Sequence, residues 1–283
     1  MTSTASRTAE RAELIRGLGA LCERPGPASA QIADALGLPG PDPVEYTEVF
    51  VHQLPPYASI YLDAEGKIGG EARSRIAGFW RAMHLTPPSE PDHLATLLGL
   101  WASITQEAVG EGQPQRRSLL EHAAVTLVWE HLASWLSPYL SRLAELSEDF
   151  GPWAELLAEV VGDTLKGVSP SNLPVHLTDE PKGLQGPDEL VAFLLTPIRS
   201  GLVLTRTDLK RAASDLGLGA RIGERAFELR SLIEQDGHAV IEWIADEATR
   251  QADLFSAAVT STIGAAWSER ASRTHATVGH LAR

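Results

Sequence analysis

Glu90 and His93 have the residue types and spacing in this chain that come closest to a metal site. On a helix, Glu-x-x-His places a carboxylate and an imidazole on one face, and helix bundles use two such pairs in holding two iron ions. The second pair is missing, because no acid stands three residues before the other candidate histidines: His122, His131, His176 and His238. We therefore expect no bound metal.

Other catalytic patterns are also missing from the sequence. It contains no His-Glu-x-x-His, no Gly-x-Ser-x-Gly and no phosphate-binding Gly-x4-Gly-Lys-Ser/Thr. Gly217-Leu218-Gly219 follows a predicted helix, which suits a helix end better than a dinucleotide-binding turn. The single cysteine, Cys22, excludes an intramolecular disulfide and multi-cysteine metal sites, and it fits a reducing compartment. These observations predict a protein that is not an enzyme and carries no cofactor.

Charge and composition narrow the class of partner. Of the 283 residues, 43% are hydrophobic and 22% are charged, as in ordinary globular proteins. The formal net charge of −13 argues against nucleic acid or an anionic membrane as the partner and favours a basic one. No apolar run is long enough for a membrane span, and Arg16 interrupts the short Leu14-Ile15 run near the N-terminus. We expect a cytoplasmic protein.

Apolar residues recur at helical spacing through most of the chain, and runs typical of strands are scarce, so the fold class is predicted to be all-α. An ordered loop is expected at 55–70, and Pro138 is expected to break or kink a long helix. The tail helix is expected to run from about Ala239 toward Trp267, with the remaining residues frayed. The other predicted helices include 8–22, 28–36, 44–52, 189–195, 206–216 and 222–235, with further helices starting near Glu71 and Leu94 and around Leu120 and Trp153.

One stretch divides the chain. Residues 167–187 are rich in Pro, Gly, Ser and Asn, which is typical of a linker. The predicted organisation is a helical-bundle domain at 1–166, this linker, and a C-terminal helical extension at 188–283.

Two short motifs stand out along the chain. Glu90-Pro91-Asp92-His93-Leu94 opens one predicted helix, and Glu130-His131-Leu132-Ala133-Ser134-Trp135 lies on the next long one. Together they resemble the motifs of the TorD/DmsD/NarJ chaperones, a family that shows an acidic-Pro-Asp-His-Leu signature followed at a comparable separation by His-Leu-x-x-Trp. A third stretch at 55–62, with Gly69-Gly70-Glu71 after it, is similar to members that serve dimethyl-sulfoxide-reductase-type enzymes. The resemblance covers roughly residues 45–165 and implies a TorD-like bundle.

The resemblance also implies a function. Such a chaperone binds the catalytic subunit of a molybdopterin enzyme, or its twin-arginine signal peptide, and holds it for cofactor insertion before export. It implies client contacts at Glu90, Asp92 and His93, and in the other two stretches at His131, Trp135, Tyr57 and Tyr61. The chaperone is expected to be a monomer or a homodimer.

Simpler structural roles are open for several of these residues. Asp92 stands after a proline and before an apolar segment, where a carboxylate can cap a helix. His131 and Trp135 lie one helical turn apart, which is typical of core packing with a satisfied histidine.

Two other classes of function are open. An unrelated helical interaction protein is one. The other is a DNA-binding regulator, because residues 199–230 hold seven basic and four acidic residues in a helix-turn-helix outline. Subtracting that local +3 from −13 leaves −16 for the rest of the chain, which would repel a duplex. We therefore expect the extension to dock intramolecularly or on the client and not to bind nucleic acid.

Overall fold

The computed structural model describes residues 4–40, 42–166, 168, 172–178, 182–257 and 261–281. Within these ranges the chain is helical and forms no β-strand; one isolated antiparallel bridge joins Tyr57 and His93. The all-α prediction is confirmed. None of the helices in these ranges is long and apolar enough to cross a membrane.

The N-terminal part is a bundle built on one large apolar core. Its helices are α1 (Thr4–Leu21), α2 (Pro27–Leu36), α3 (Pro43–Tyr46), α4 (Ala58–Leu62), α5 (Gly70–Ala82), α6 (Leu94–Gly110), α7 (Pro114–Thr126), α8 (Ser134–Leu146) and α9 (Gly151–Leu165). Two π-helical turns, Thr47–Gln53 and Leu127–Ala133, continue α3 and join α7 to α8.

Helix α6 lies at the centre of this bundle because its apolar residues occupy more than one face. Leu94, Leu97 and Leu98 are fully buried. The backbone of α1 comes close to α6 at Gly19, where an added Cβ would lie 3.2 Å from the Cβ of Leu98. A larger residue at Gly19 would therefore push the two helices apart.

Helix α8 continues through Pro138 to Leu146, so of the predicted break or kink at this proline, the break is wrong. A proline removes the amide that would bond to the carbonyl four residues earlier, which here belongs to Ser134. That carbonyl accepts a hydrogen bond from Nε1 of Trp267 at 2.9 Å instead. A side chain of the C-terminal extension thus satisfies the backbone group that Pro138 leaves open.

The C-terminal part contributes a second apolar cluster. The helical elements of the C-terminal part are α10 (Val175–Thr178), a 3-10 turn (Pro187–Glu189), α11 (Leu190–Leu194), α12 (Pro197–Ser200), α13 (Arg206–Asp215), α14 (Arg225–Gln235), α15 (Gly237–Ser256) and α16 (Ser261–Leu281). The predicted single tail helix is wrong, because α15 ends at Ser256 and α16 packs back along it instead of fraying.

Buried polar contacts join the two parts. Both carboxylate oxygens of Asp208 accept hydrogen bonds from the Arg142 guanidinium, at 2.8 and 2.7 Å, and each side chain is 3% exposed. The extension therefore docks on the bundle. This is the intramolecular one of the two arrangements that were predicted for it. Part of the predicted linker 167–187 lies outside the described residues, and the division into domain, linker and extension stays a prediction.

Candidate functional site

The first motif is tied to the loop before α4 by backbone hydrogen bonds. The amide of Ala58 donates to the carbonyl of Asp92 at 3.0 Å, and the amide of Leu94 donates to the carbonyl of Pro56 at 2.8 Å. The predicted loop at 55–70 in fact contains α4 at Ala58–Leu62. The first part of the stretch 55–62, residues 55–59, and the motif 90–94 thus form one structural unit, which we call the seam.

Asp92 lies inside the seam and is fully buried. Its Oδ2 accepts a hydrogen bond from Oγ of Ser59 at 2.5 Å, and Ser59 Oγ accepts one from the amide of Gly69 at 3.1 Å. Nε of Arg73 lies 3.7 Å from Oδ1. Asp92 therefore connects the start of α6 to the residues before α5.

The expectation that Asp92 caps α6 is wrong. His93 is the capping residue, and its Nδ1 accepts the hydrogen bond from the amide of Ala95 at 3.2 Å. This role requires an unprotonated Nδ1, and burial lowers the pKa of His93 below its ordinary value. The carboxylate of Asp92 points instead toward Ser59 and Arg73.

The rim of the seam faces solvent. The hydroxyl of Tyr57 donates to Oε1 of Glu90 at 3.0 Å, and the rings of Tyr57 and His93 meet edge to face with centroids 4.9 Å apart. Burial and the neighbouring Glu90 raise the pKa of Tyr57 to about 12. Glu90 is exposed, whereas Tyr57 and His93 are half-buried. This trio presents one carboxylate beside two rings.

Three supporting residues, Ser59, Asp63 and Arg73, were not identified from the sequence. Oδ2 of Asp63 accepts the amide of Glu71 at 2.8 Å and thereby caps α5. Gly70 has φ +69°, and a Cβ there would lie only 2.1 Å from Oδ2 of Asp63. The sequence does carry a signal for this cap: an acid, Asp63, stands seven residues before Gly70, where a helix starts with Gly-Gly-Glu. Such a turn requires glycine, and the first amides of the helix need acceptors.

Tyr61 and Trp135 lie elsewhere, in the core. Their rings stack with centroids 5.2 Å apart and an interplanar angle of 15°, and the ring of Tyr139 meets both edge to face. The Tyr61 hydroxyl donates to the carbonyl of Pro55 at 3.1 Å, and Trp135 Nε1 donates to the carbonyl of His131 at 2.9 Å. Both side chains are buried, so they support the loop before α4 from the core.

His131 is 9% exposed and packs edge to face on Phe79, with ring centroids 5.4 Å apart. Burial lowers its pKa to about 4, and the neighbouring charges of His176 and Arg75 act in the same direction. Among the residues that the structure describes, its Nδ1 finds no hydrogen-bond partner, which differs from the expected satisfied histidine. The core-packing interpretation fits the positions of His131 and Trp135.

Several cations of the basic segment 199–230 contact carboxylates or a carbonyl of the protein itself. The guanidinium contacts are Arg199 with Glu189 at 2.8 Å, Arg206 with Glu228 at 3.0 Å, Arg211 with Glu247 at 2.6 Å, and Arg225 with the carbonyl of Leu204 at 2.8 Å. These contacts weaken the helix-turn-helix interpretation, since a duplex would need the same charges. Across the part of the chain that the structure describes, no three His, Cys, Asp or Glu side chains converge as metal ligands.

One family model matches part of the chain. Residues 43–140 match the family model of the nitrate reductase delta subunit, and this span contains the seam and the aromatic core beneath it. No curated protein and no solved structure matches the chain. The nitrate reductase delta subunit family is a family of chaperones for molybdoenzyme maturation. This match supports, over residues 43–140, the resemblance to the NarJ/TorD-type chaperones that the two motifs indicated.

Proposed function

We propose that this protein is a cytoplasmic chaperone that binds the catalytic subunit of a molybdenum-dependent oxidoreductase and holds it for cofactor insertion and assembly before export. The segment it binds is the twin-arginine signal peptide of that subunit. The observation that carries the proposal is the family match at 43–140, within which the two stretches of the seam are bonded to each other.

The charge of the seam supports a basic peptide as the ligand. Glu90 offers an exposed carboxylate, and the rings of Tyr57 and His93 beside it offer apolar contact. An arginine prefers such a combination, because its guanidinium donates hydrogen bonds to a carboxylate and stacks on aromatic rings. The overall charge of −13 would also attract a basic segment before contact.

Asp92 has a different part in this proposal. Its carboxylate is fully buried and already accepts a hydrogen bond from Ser59, so in this conformation Glu90 is the residue that meets the client. Asp92 is then a positioning residue that holds the start of α6 against the loop before α4. The other proposed contacts, His131, Trp135 and Tyr61, act through the core that supports the seam.

Calorimetric titration of a synthetic signal peptide tests the proposal. The peptide is taken from a molybdoenzyme catalytic subunit of the same organism and compared with a version in which glutamines replace the paired arginines. We expect Glu90→Gln to weaken binding about tenfold, which corresponds to the loss of one charge-assisted hydrogen bond. The matched control Glu234→Gln, an exposed acid on α14, should bind like the wild type. Equal binding of both peptides would contradict the proposed recognition.

A further inference from the structure

The seam already binds a guanidinium, and that guanidinium belongs to the protein itself. Arg73 extends from α5 to the segment before α6, where its Nη2 donates to the carbonyl of Ser89 at 2.5 Å. Its Nε lies 3.7 Å from Oδ1 of Asp92. Ser89 directly precedes Glu90 in the chain, so Arg73 reaches the backbone beside the proposed client contact.

This arrangement leaves the carboxylate of Asp92 half satisfied. Its Oδ2 accepts the hydrogen bond from Ser59, but Oδ1 has no hydrogen-bond partner among the described residues. The 3.7 Å that separate Oδ1 from Nε of Arg73 are too long for a hydrogen bond. Because Asp92 is fully buried, an oxygen without a donor is costly there, and a guanidinium that came closer would offset that cost.

The contacts of Arg73 are ones that its side chain can exchange. The side chain is 43% exposed, and the carbonyl that it bonds belongs to the exposed Ser89, where water can replace it. In the part of the chain that the structure describes, Asp92 is the one carboxylate within 4 Å of Arg73. Arg75 on the same helix is 42% exposed, yet it holds Glu71 by two hydrogen bonds, at 3.0 and 2.6 Å. Arg73 is therefore the less firmly held of the two.

We propose that Arg73 occupies, in the free protein, the place of an arginine of the signal peptide. When the peptide binds, one of its paired arginines displaces Arg73 and donates to Oδ1 of Asp92, while Glu90 accepts the other. Asp92 thus meets the client only after Arg73 has left. Until then Arg73 keeps a cation near the buried carboxylate, and it lowers the affinity of the site for the peptide. This inference rests on the proposed function, because it assumes that the signal peptide binds at the seam.

Calorimetric titration of the twin-arginine peptide into matched variants tests this exchange on the full chain. Arg73→Gln removes the competing guanidinium, so it should tighten binding about fivefold, since the site is then open in every molecule. Arg75→Gln removes a cation of the same exposure from the same helix, and it controls for the general loss of positive charge. Its affinity should stay close to that of the wild type.

A double variant shows whether the gain depends on Asp92. In the Asp92→Asn background, Arg73→Gln should not change the affinity, because the two guanidinium groups then have no carboxylate to compete for. An equal gain in both backgrounds would overturn the inference. So would an Arg73→Gln affinity no higher than that of Arg75→Gln.

Two further comparisons separate the exchange from folding and from the proposed function. Arg73→Lys keeps a cation near Asp92 but lacks the planar donor set of a guanidinium, so it should give a smaller gain in the same direction. It takes the place of Arg73→Gln if melting temperatures show that variant to be unstable, and no gain in it would then overturn the inference. If the wild type prefers the arginine peptide to the glutamine version but Arg73→Gln gains nothing, the exchange fails alone. If neither protein shows that preference, the proposed function fails with it.

Discussion

The two motifs that carry the family resemblance occupy different environments. The segment 90–94 lies at the seam, where Glu90 is exposed and His93 half-buried above the buried Asp92. The segment 130–135 lies inside, where Trp135 is fully buried and His131 nearly so. Both motifs contain an acid, a histidine and an apolar residue, yet only the first leaves its acid on an exposed rim bonded to a tyrosine. Similar residue types can therefore serve a surface in one place and a core in the other.

The largest expected effect is on the buried motif. Trp135→Ala removes a ring that stacks on Tyr61 and meets Tyr139, and the cavity should cost about 3–5 kcal/mol of unfolding free energy. Urea unfolding followed by circular dichroism measures this cost. Glu90→Gln, at the exposed rim, should change the same quantity by less than about 0.5 kcal/mol. Similar values for the two variants would remove the distinction between the motifs.

The histidines of the two motifs should differ in their effect on stability against pH. The folded-state pKa of His131 is about 4 and its ordinary value is 6.5, so the unfolded chain binds the proton first as the pH falls. The contribution of His131 to the free energy of unfolding is therefore fully present above pH 6.5. As the pH falls toward 4, this contribution is lost and the free energy of unfolding falls by roughly 3 kcal/mol.

Urea unfolding at a series of pH values measures that loss. His131→Gln should flatten the dependence between pH 6.5 and 4. His93→Gln should flatten it less, because the pKa of His93 is lowered by burial but raised by the charge of Glu90. An unchanged slope in His131→Gln would show that His131 does not cause it.

Asp92 should have an intermediate effect on stability. Asp92→Ala leaves the hydroxyl of Ser59 without its acceptor and Arg73 without the nearby carboxylate, at a cost of about 1–3 kcal/mol. Asp92→Asn should cost less, since its amide oxygen can still accept the Ser59 hydrogen bond. Hydrogen exchange at the amides of Ala58 and Leu94 should speed up in Asp92→Ala. Unchanged exchange would mean that Asp92 does not hold the seam together.

The smallest expected effect belongs to the rim. Tyr57→Phe removes the hydrogen bond to Glu90 and keeps the ring contact with His93, so it should cost at most about 1 kcal/mol. Its melting temperature should stay close to that of the wild type, and Tyr61→Phe is the matched control within the core. A larger loss in Tyr57→Phe than in Tyr61→Phe would reverse the assignment of surface and core.

The periodicity of the sequence predicted much of the fold because it reports local burial. The apolar residues of α6 recur at helical spacing, and Leu94, Leu97 and Leu98 are all buried. The course of α8 through Pro138 could not be predicted, because the compensating donor is Trp267, far along the chain. Helix α4 was missed since its five residues are bounded by prolines and glycines that locally favour a loop.

The first motif indicated residues that the structure places at the seam, but it did not indicate the contact that each of them makes. The sequence places Asp92 next to the start of α6, where a cap is the simplest interpretation. Its partner Ser59 lies 33 residues earlier, and no local rule predicts that pairing. The half-exposed ring of Tyr57 beside Glu90 depends on the same long-range contact.

Co-expression with a client measures the central claim most directly. The chain is produced together with a molybdoenzyme catalytic subunit of its own organism, with and without the N-terminal signal of that subunit, and complexes are sized by chromatography with light scattering. The account predicts a stable complex with the subunit that carries its signal, and a weaker one for Glu90→Gln but not for Glu234→Gln. Absence of any complex with both forms of the subunit would contradict it.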